Sequence, residues 1–424
     1  MSDRILRIAF AAFLFIGLLG GCSENVAVSA GCPSLCSDES GTLRDTTLLG
    51  AVVLDSSLFG YPRLGESRDL SMLDKGDTAD VRVVTRFDTL PAIYPFPVTL
   101  ADSLIRMVDS TTMLFVVDTL ASAPTFPLTI DAFDVDTTAN DTLPSTLIPL
   151  FRADRLIGSQ TFQKGDFKDT VRLTLNNDKV FAKIKDTLNL RIGLRVSSST
   201  GSARLKMIAS SFSPRLRFRV SADTSVKPDT VFLTSLTPTD NEYIQATLAV
   251  YPVVVKGALP PPPPGTFVIG GIAGARAYLK FDLPSTLSDS VQVIRASLLL
   301  NQVPGRSTGR TNDTLTIFTH PILASPSVTD VTTALSFMGS PTAYGVDSVR
   351  FVPTGSGTKS IELVNLVRFW KAVGEKNTSR SIVLRPAEEG AVAGELSFTS
   401  IEGLAALRPR LRLTYVPRRG FGIP

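Results

Sequence analysis

An internal repeat constrains the fold of this 424-residue chain more than any other feature of its sequence. Four blocks recur in the same order and at a nearly constant offset. The matching blocks are residues 82–88 and 276–282, 109–115 and 294–300, 128–130 and 315–317, and 214–218 and 409–413. Such self-similarity indicates that one structural unit occurs more than once. We therefore predict two tandem domains, at residues 46–224 and 230–417.

The repeated blocks have the residue pattern of β-strands. Apolar and more polar side chains alternate over residues 277–282, which is the period of a half-buried strand. Short apolar runs, such as residues 113–117 and 298–300, are typical of the core strands of a sandwich. The sequence predicts an all-β protein built of two antiparallel, jelly-roll-like β-sandwiches.

Each domain is also predicted to contain one short helix. In the second domain, Asn365 is expected to cap a helical turn that carries Leu366, Val367, Trp370 and Val373 on one face. A similar set occurs in the first domain, at Asn177, Val180, Phe181 and Ile184. This spacing predicts that Trp370 anchors the helix in the core. An exposed tryptophan would instead be suited to stack on a sugar ring.

The N-terminus has the features of a secretion signal. Residues 1–21 combine two arginines with an apolar run that is shorter than the ~20 residues of a membrane-spanning helix. The run ends in Leu-Gly-Gly-Cys and resembles a bacterial lipobox, in which the cysteine, here Cys22, is lipidated. We predict a lipoprotein signal peptide at 1–21 and a flexible tether at 22–45. The alternative is a plain anchor with a chance cysteine.

The residues after Cys22 bear on its location. Since no aspartate directly follows this cysteine, we expect a lipid-anchored protein of the bacterial cell envelope, in the outer membrane. Cys32 and Cys36 lie within the tether, where an oxidising compartment would allow a local disulfide. Free thiols, or a redox or metal-binding pair, are the alternatives.

The scarce residue types argue against an enzyme. His320 is the only histidine, so zinc clusters and most general-base chemistry lack their usual side chains. Asp88 and Asp282 follow equivalent strands, but glycosidase chemistry needs two carboxylates within ~5–10 Å in one cleft, and these lie in separate domains. The charged residues, 43 basic and 39 acidic, are scattered, which argues against a nucleic-acid partner. We predict a non-catalytic protein.

The second domain resembles the DNRLRE domain family. The resemblance rests on residues 277–284, residues 294–300, the tryptophan-containing helix and the closing strand at 408–415, and it covers about 266–416. It implies a secreted β-sandwich module related to carbohydrate-binding modules, found in polysaccharide-degrading and surface proteins. The family usually carries an Asn-Tyr-Gly-type segment where this chain has Pro260–Pro264. The first domain keeps only the skeleton of the pattern.

One acidic stretch is a candidate metal site. Five side chains with carboxylate or amide oxygens lie close together in the sequence, namely Asp131, Asp134, Asp136, Asn140 and Asp141. Oxygen ligands of this kind suit calcium, although the spacing is not that of an EF-hand. The alternative is a solvated acidic loop. Calcium is the only cofactor that the sequence suggests.

Three further features are candidates for binding or for ordinary structure. Tyr278 alternates with the apolar Leu279 and is predicted to be exposed, as a binding residue. The run Pro260–Pro264 is stiff and is interpreted as a rigid loop, or as a segment that docks into an aromatic groove. His320 precedes a proline and is predicted to lie in a loop.

Two functions are compatible with these observations. The first is a surface lipoprotein whose sandwiches bind polysaccharide or other envelope material. The second is a structural or assembly lipoprotein whose sandwiches contact protein partners through their edge strands, with no glycan ligand.

Overall fold

The computed structural model describes residues 43–417 apart from short gaps, which fall at 62–68, 76–78, 88–89, 96–101, 138–143, 187–188, 201–202, 209–213, 222–228, 235–249, 257–260, 272, 286–290, 306–313, 390–391 and 393. The predicted signal peptide and residues 22–42 of the predicted tether, with Cys22, Cys32 and Cys36, lie outside the described residues. The end of the tether was predicted wrongly, because Arg44 and Asp45 belong to a β-strand that begins at Arg44.

The described residues are mostly β-strand, and every pairing is antiparallel. The strands in chain order are β1 (Arg44–Leu48), β2 (Val52–Leu58), β3 (Asp69–Lys75), β4 (Ala79–Phe87), β5 (Ile93–Pro95), β6 (Asp102–Leu104), β7 (Met107–Val117), β8 (Leu128–Asp134), β9 (Leu156–Phe162), β10 (Thr170–Thr174), β11 (Leu190–Ser198), β12 (Ala203–Ile208), β13 (Arg215–Ser221), β14 (Asp229–Thr234), β15 (Val250–Lys256), β16 (Thr266–Gly270), β17 (Arg276–Phe281), β18 (Val291–Val303), β19 (Leu315–Ile322), β20 (Val349–Phe351), β21 (Gly357–Glu362), β22 (Ser381–Pro386), β23 (Glu395–Thr399) and β24 (Arg410–Pro417).

The helices are short. They are α1 (Pro144–Leu147), α2 (Asn177–Lys185), α3 (Val331–Leu335) and α4 (Val364–Val373), with 3-10 turns at Ile148–Leu150, Ala153–Arg155, Thr342–Tyr344, Glu375–Asn377 and Ala405–Leu407. The two longer helices, α2 and α4, are the helix predicted for each domain. The single-turn helices α1 and α3 come in addition.

The strands form two sandwiches with the same strand order. In one, the first sheet runs β1-β24-β18-β23-β16 with β21 on β18, and the second runs β2-β17-β22-β19-β20. In the other, the matching sheets run β14-β13-β7-β12-β3 with β10 on β7, and β15-β4-β11-β8-β9. Pairing of β3 with β4 joins these last two sheets. The all-β fold with two antiparallel sandwiches is therefore confirmed.

The repeated sequence blocks fall on equivalent strands of the two sandwiches. Strands β4 and β17 hold the same place in the strand order, and so do the other strands that carry matching blocks, namely β7 and β18, β8 and β19, and β13 and β24. Alternation of buried and exposed side chains is clear in β13, where Leu216, Phe218 and Val220 point into the core. Local sequence pattern therefore identified the core strands correctly.

Each sandwich has its own hydrophobic core. One core extends from Met72 to Val231 in the sequence, and includes Val180 and Ile184 of α2. The other is built around Trp370 and also includes Ala51 and Val52, which lie far from it in the sequence. The two cores are separate clusters. We call the sandwich with the Met72 core the first sandwich and the sandwich with the Trp370 core the second sandwich.

The strand pairings correct the predicted domain boundaries. Strands β1 and β2 pair with β24 and β17, so residues 44–58 belong to the second sandwich and not to a first domain at 46–224. Strands β14 and β15 pair with β13 and β4, so residues 229–256 belong to the first sandwich and not to a second domain at 230–417. Each sandwich is thus completed by a strand pair that sequence order had assigned to the other.

The start of α4 also differs from the prediction. Leu363, and not Asn365, holds the N-cap position, and no side chain caps the helix there. Asn365 lies within the first turn, where its Nδ2 donates to the carbonyl oxygen of Gly345 at 3.5 Å. Helix α2 is capped by an asparagine, but one residue before the Asn177 that the sequence analysis matched to Asn365: the side chain of Asn176 accepts from the backbone N–H of Lys179.

Candidate functional site

The acidic stretch at the end of β8 binds a lysine of its own chain. The Nζ of Lys183 on α2 lies 3.1 Å from an Oδ of Asp134 and 3.0 Å from an Oδ of Asp136. Arg191 adds a second cation 3.7 Å from Asp136, and Asp131 accepts from the hydroxyl of Ser159 at 2.6 Å. The place that a calcium ion would take between two of these carboxylates is therefore held by an ammonium group.

The calcium prediction therefore gains no support from these carboxylates. Asn140 and Asp141, its other predicted ligands, lie outside the described residues. In the described part of the chain, no group of three or more His, Cys, Asp or Glu side chains is arranged to hold a metal ion.

Tyr278 is buried, contrary to its prediction as an exposed binding residue. Only 4% of it is accessible, and its hydroxyl bonds to the Ser381 hydroxyl at 2.8 Å. It does point away from Leu279, as the alternation predicts. The outer face of the sheet is covered, however, by a cluster that includes Ala334 and Leu335 of α3. A second apolar layer thus removes Tyr278 from solvent.

Trp370 lies in the core, as predicted. Its side chain is fully buried, and its ring centroid is 5.2 Å from that of Phe281 on β17. Leu366 and Val367 are buried on the same face of α4. The indole Nε1 has no hydrogen-bond partner within the described structure. Trp370 is therefore an apolar anchor, and it presents no surface to a sugar.

A buried arginine holds the same position in both sandwiches. Arg276 begins β17 and donates from two nitrogens to Glu389 at 2.7 and 2.8 Å, while its guanidinium lies 3.7 Å from the Tyr61 ring centroid. Arg82, in the matching sequence block, donates to Asp80 at 2.9 and 3.2 Å. Such two-point pairs fix geometry strongly. In the sequence, this shared position could have been recognised from the arginine that begins both repeated blocks, 82–88 and 276–282.

His320 lies on β19 and not in a loop. Its Nδ1 is 3.0 Å from the carbonyl oxygen of Gly339, and burial lowers the pKa of the imidazole below its usual value. The ring is therefore neutral near pH 7 and holds the Gly339 turn against β19.

The remaining sequence candidates have ordinary positions. Asp282 is exposed after β17, and its backbone N–H donates to the carbonyl oxygen of Ala51. Asp88 and Pro260 lie outside the described residues. The following prolines form a turn, because the N–H and hydroxyl of Thr266 both bond to the carbonyl oxygen of Pro263.

The surface carries an apolar cluster that the sequence analysis missed. Ile93 on β5 and Leu104 on β6 are opposite residues of a two-stranded hairpin, and they are 52% and 57% exposed. Met107, at the start of β7, is 48% exposed. The neighbouring Tyr94 hydroxyl donates to Asp229 at 2.9 Å, which ties the hairpin to the first sandwich. We call the Ile93–Leu104 pair, with Met107 three residues further along the chain, the hairpin cluster.

Exposed aromatic rings are few. Among the phenylalanines whose side chains the structure describes, only Phe59 and Phe337 are exposed, each by a little less than half. Phe59 follows β2, and Phe337 lies in the turn after α3. A flat platform of adjacent rings, which would suit a sugar, does not occur among the aromatic residues that the structure describes.

No protein family model matches the chain, and no curated protein matches it either. Within the described segments, no helix combines the length and the apolar character that crossing a membrane requires.

Proposed function

We propose that this chain is a non-catalytic lipoprotein of the bacterial cell envelope, with a structural or assembly role carried out through protein contacts. The observation that carries the proposal is the burial of Tyr278 and Trp370. Tyr278 was the aromatic residue predicted to be exposed for binding, and Trp370 would suit a sugar only if it were exposed; burial removes both from a glycan. The polysaccharide-binding function thereby loses its one predicted binding residue.

The location in this proposal rests on the N-terminal sequence. The apolar run before Cys22 and the small residues next to it support lipid attachment at that cysteine. The resemblance to DNRLRE modules supports a secreted or surface protein.

The hairpin cluster is the surface that we assign to a protein partner. Isolated exposed apolar side chains are ordinary, but two that face each other across a hairpin form a continuous apolar surface. Burying Ile93 and Leu104 against a partner would stabilise the complex by about 25 cal/mol for each Å² of apolar area removed from water. Tyr94 and its bond to Asp229 hold the hairpin in place for that contact.

Site-specific cross-linking tests this assignment. A photo-reactive amino acid at position 104 is expected to give a discrete protein adduct in the bacterium that makes the chain. The control position is Leu120, which is 88% exposed and lies in a turn outside the cluster. Equal adducts from both positions, or none from 104, would contradict the assignment.

A glycan array separates the two functions. The Cys22→Ser variant of the full chain, which lacks the predicted lipid, is expected to give no specific glycan signal. Reproducible binding to one glycan class would overturn the protein-contact proposal. Loss of that signal in Phe337→Ala would then identify an exposed ring as the sugar contact.

A further inference from the structure

The two sandwiches exchange one strand pair. In the chain, β1 and β2 come directly before the strands of the first sandwich, yet they pair with β24 and β17 of the second. Strands β14 and β15 come directly before those of the second sandwich, yet they pair with β13 and β4 of the first. Sequence order does not explain why each pair joins the sandwich further along or back in the chain. The two pairs occupy equivalent edge positions, so each could in principle complete either sandwich.

Side chains of β2 bond to the backbone of the second sandwich. The Ser57 hydroxyl accepts from the N–H of Val268 at 2.8 Å and lies 3.2 Å from the carbonyl oxygen of the same residue. The Asp55 carboxylate accepts from the N–H of Ile401 at 2.7 Å. Strand β2 is an edge strand of its sheet, and these bonds fasten it to elements of the opposite sheet.

The segment after β2 continues this attachment. The N–H groups of Gly60 and Tyr61 donate to the carbonyl oxygens of Ala273 and Gly274 at 2.9 and 3.0 Å. The Tyr61 ring lies over the guanidinium of Arg276, at 3.7 Å. A cation held against an aromatic face in this way is stabilised by the ring. The contact also covers the buried ion pair of Arg276.

The other strand pair lacks the residue types for these bonds. By register against the aligned strands β4 and β17, Val250 and Pro252 of β15 occupy the positions that Asp55 and Ser57 hold in β2. Valine and proline carry neither a hydroxyl nor a carboxylate, so they cannot form either bond. In the first sandwich, the ring over the matching Arg82 is that of Phe151, whose centroid is 4.7 Å from the guanidinium carbon. Phe151 does not belong to the strand pair β14–β15, so that pair makes no contact of the Tyr61 kind through this ring.

We propose that the second sandwich contains a peptide-binding site whose ligand is residues 44–61 of the same chain, and that Asp55, Ser57 and Tyr61 make it specific for that segment over residues 229–256. The site consists of the edges of β17 and β24, with the backbone groups of Val268 and Ile401. Addition of strands to exposed sheet edges is an established mode of peptide recognition. Because ligand and site share one chain, binding is intramolecular, and the site is filled within the monomer.

Disulfide trapping in the full chain tests the pairing. Thr47 and Arg412 are opposite residues of β1 and β24, and opposite residues of antiparallel strands are about 4.5–5.5 Å apart at Cα, within the range of a disulfide. With the three native cysteines replaced by serine, Thr47→Cys with Arg412→Cys is expected to form an intramolecular disulfide. The matched control is Thr47→Cys with Arg217→Cys, at the aligned position of β13.

The two double variants give opposite outcomes for the two arrangements. We expect at least tenfold more cross-linked monomer from the 47/412 pair than from the 47/217 pair. A preference for 47/217 would overturn the proposal, and a disulfide-linked dimer from 47/412 would overturn the intrachain assignment in favour of a second copy.

A glycine substitution tests the specificity without touching the strands. A Cβ on Gly274 would lie 1.3 Å from the carbonyl oxygen of Tyr61, so Gly274→Ala is expected to displace the segment and reduce the 47/412 disulfide about tenfold. Gly357→Ala is the control, since Gly357 also has a positive φ, of 82°, but no atom lies within 4 Å of the added Cβ. Equal trapping in both variants would contradict the assigned contact.

The last variant tests the side chains themselves. Asp55→Val with Ser57→Val gives β2 the apolar character of β15, and it is expected to raise the 47/217 disulfide at the expense of 47/412. Circular dichroism of both oxidised samples checks that the sheets are retained. An unchanged ratio in folded protein would show that these residues do not set the specificity.

Discussion

Replacing Trp370 tests the structure most directly, because the chain has one tryptophan and the residue is the largest side chain in either core. Trp370→Ala removes a fully buried ring that packs against Phe281. The cost combines lost apolar burial with the cavity left behind. For a large aromatic residue the cost is about 3–5 kcal/mol in the free energy of unfolding.

The indole nitrogen refines this prediction. Because Nε1 is buried with no hydrogen-bond partner in the described structure, the native protein already bears a desolvation cost of about 1–3 kcal/mol. Trp370→Phe removes that unsatisfied donor while keeping an aromatic ring. We therefore expect Trp370→Phe to cost less than half as much as Trp370→Ala. If Nε1 had a partner, the two costs would be closer.

Urea denaturation followed by circular dichroism measures both variants, and wild-type fluorescence gives an independent check. The exposed Leu404 provides a control, since Leu404→Ala is expected to change stability by about 0.5 kcal/mol or less. Wild-type emission should be blue-shifted and insensitive to added glycan. A Trp370→Ala cost near that of Leu404→Ala, or emission typical of water-exposed indole, would refute the core assignment.

Four other predictions follow from the sequence and the contacts. Cys22→Ser should leave an unprocessed or soluble precursor, and membrane fractionation with mass spectrometry of the N-terminus would show whether acylation is lost. Burial raises the pKa of Asp55 to about 6, so the folded state binds this proton more tightly than the unfolded state. The resulting stability is fully present below pH ~4 and is lost as the pH rises through ~6. After allowance for partial exposure, the loss is about 1 kcal/mol in the free energy of unfolding. Asp55→Asn should remove this pH dependence from urea midpoints measured between pH 4 and 7. Lys183→Met leaves two largely buried carboxylates without their shared cation and should destabilise the first sandwich by about 2–3 kcal/mol, whereas Lys183→Arg should cost less. A fragment of residues 69–256 holds every strand of the first sandwich and should have a higher urea midpoint than residues 40–224, which lack β14 and β15; equal midpoints would mean that β1 and β2 can replace them.

The sequence predicted the features that depend on local pattern. Alternation within residues 277–282 identified β17, and apolar spacing in α4 placed Trp370 in the core. Both signals arise because a strand or helix must turn one face toward an apolar interior. They need no information about distant residues.

The error at Tyr278 shows the limit of such patterns. Alternation states that Tyr278 and Leu279 point to opposite faces of β17, and both are buried. Whether the face of β17 that carries Tyr278 is exposed to solvent depends on α3 and its flanking turns, which lie more than forty residues further along the chain. The lysine between Asp134 and Asp136 was missed for the same reason, because Lys183 comes from α2.

The strand exchange is a non-local feature of a different kind. A repeat in the sequence shows that two similar units exist, and proximity along the chain then suggests which strands belong to each. Proximity is a weak guide here, since closing a loop costs free energy that grows only slowly with its length. In our proposal, a few bonds that only one of the two strand pairs has the side chains to form, such as those of Asp55 and Ser57 to the second sandwich, outweigh it. In a tandem of similar domains, the residues that decide pairing are those at which the two copies differ, and the similarity that reveals the repeat gives no information about them.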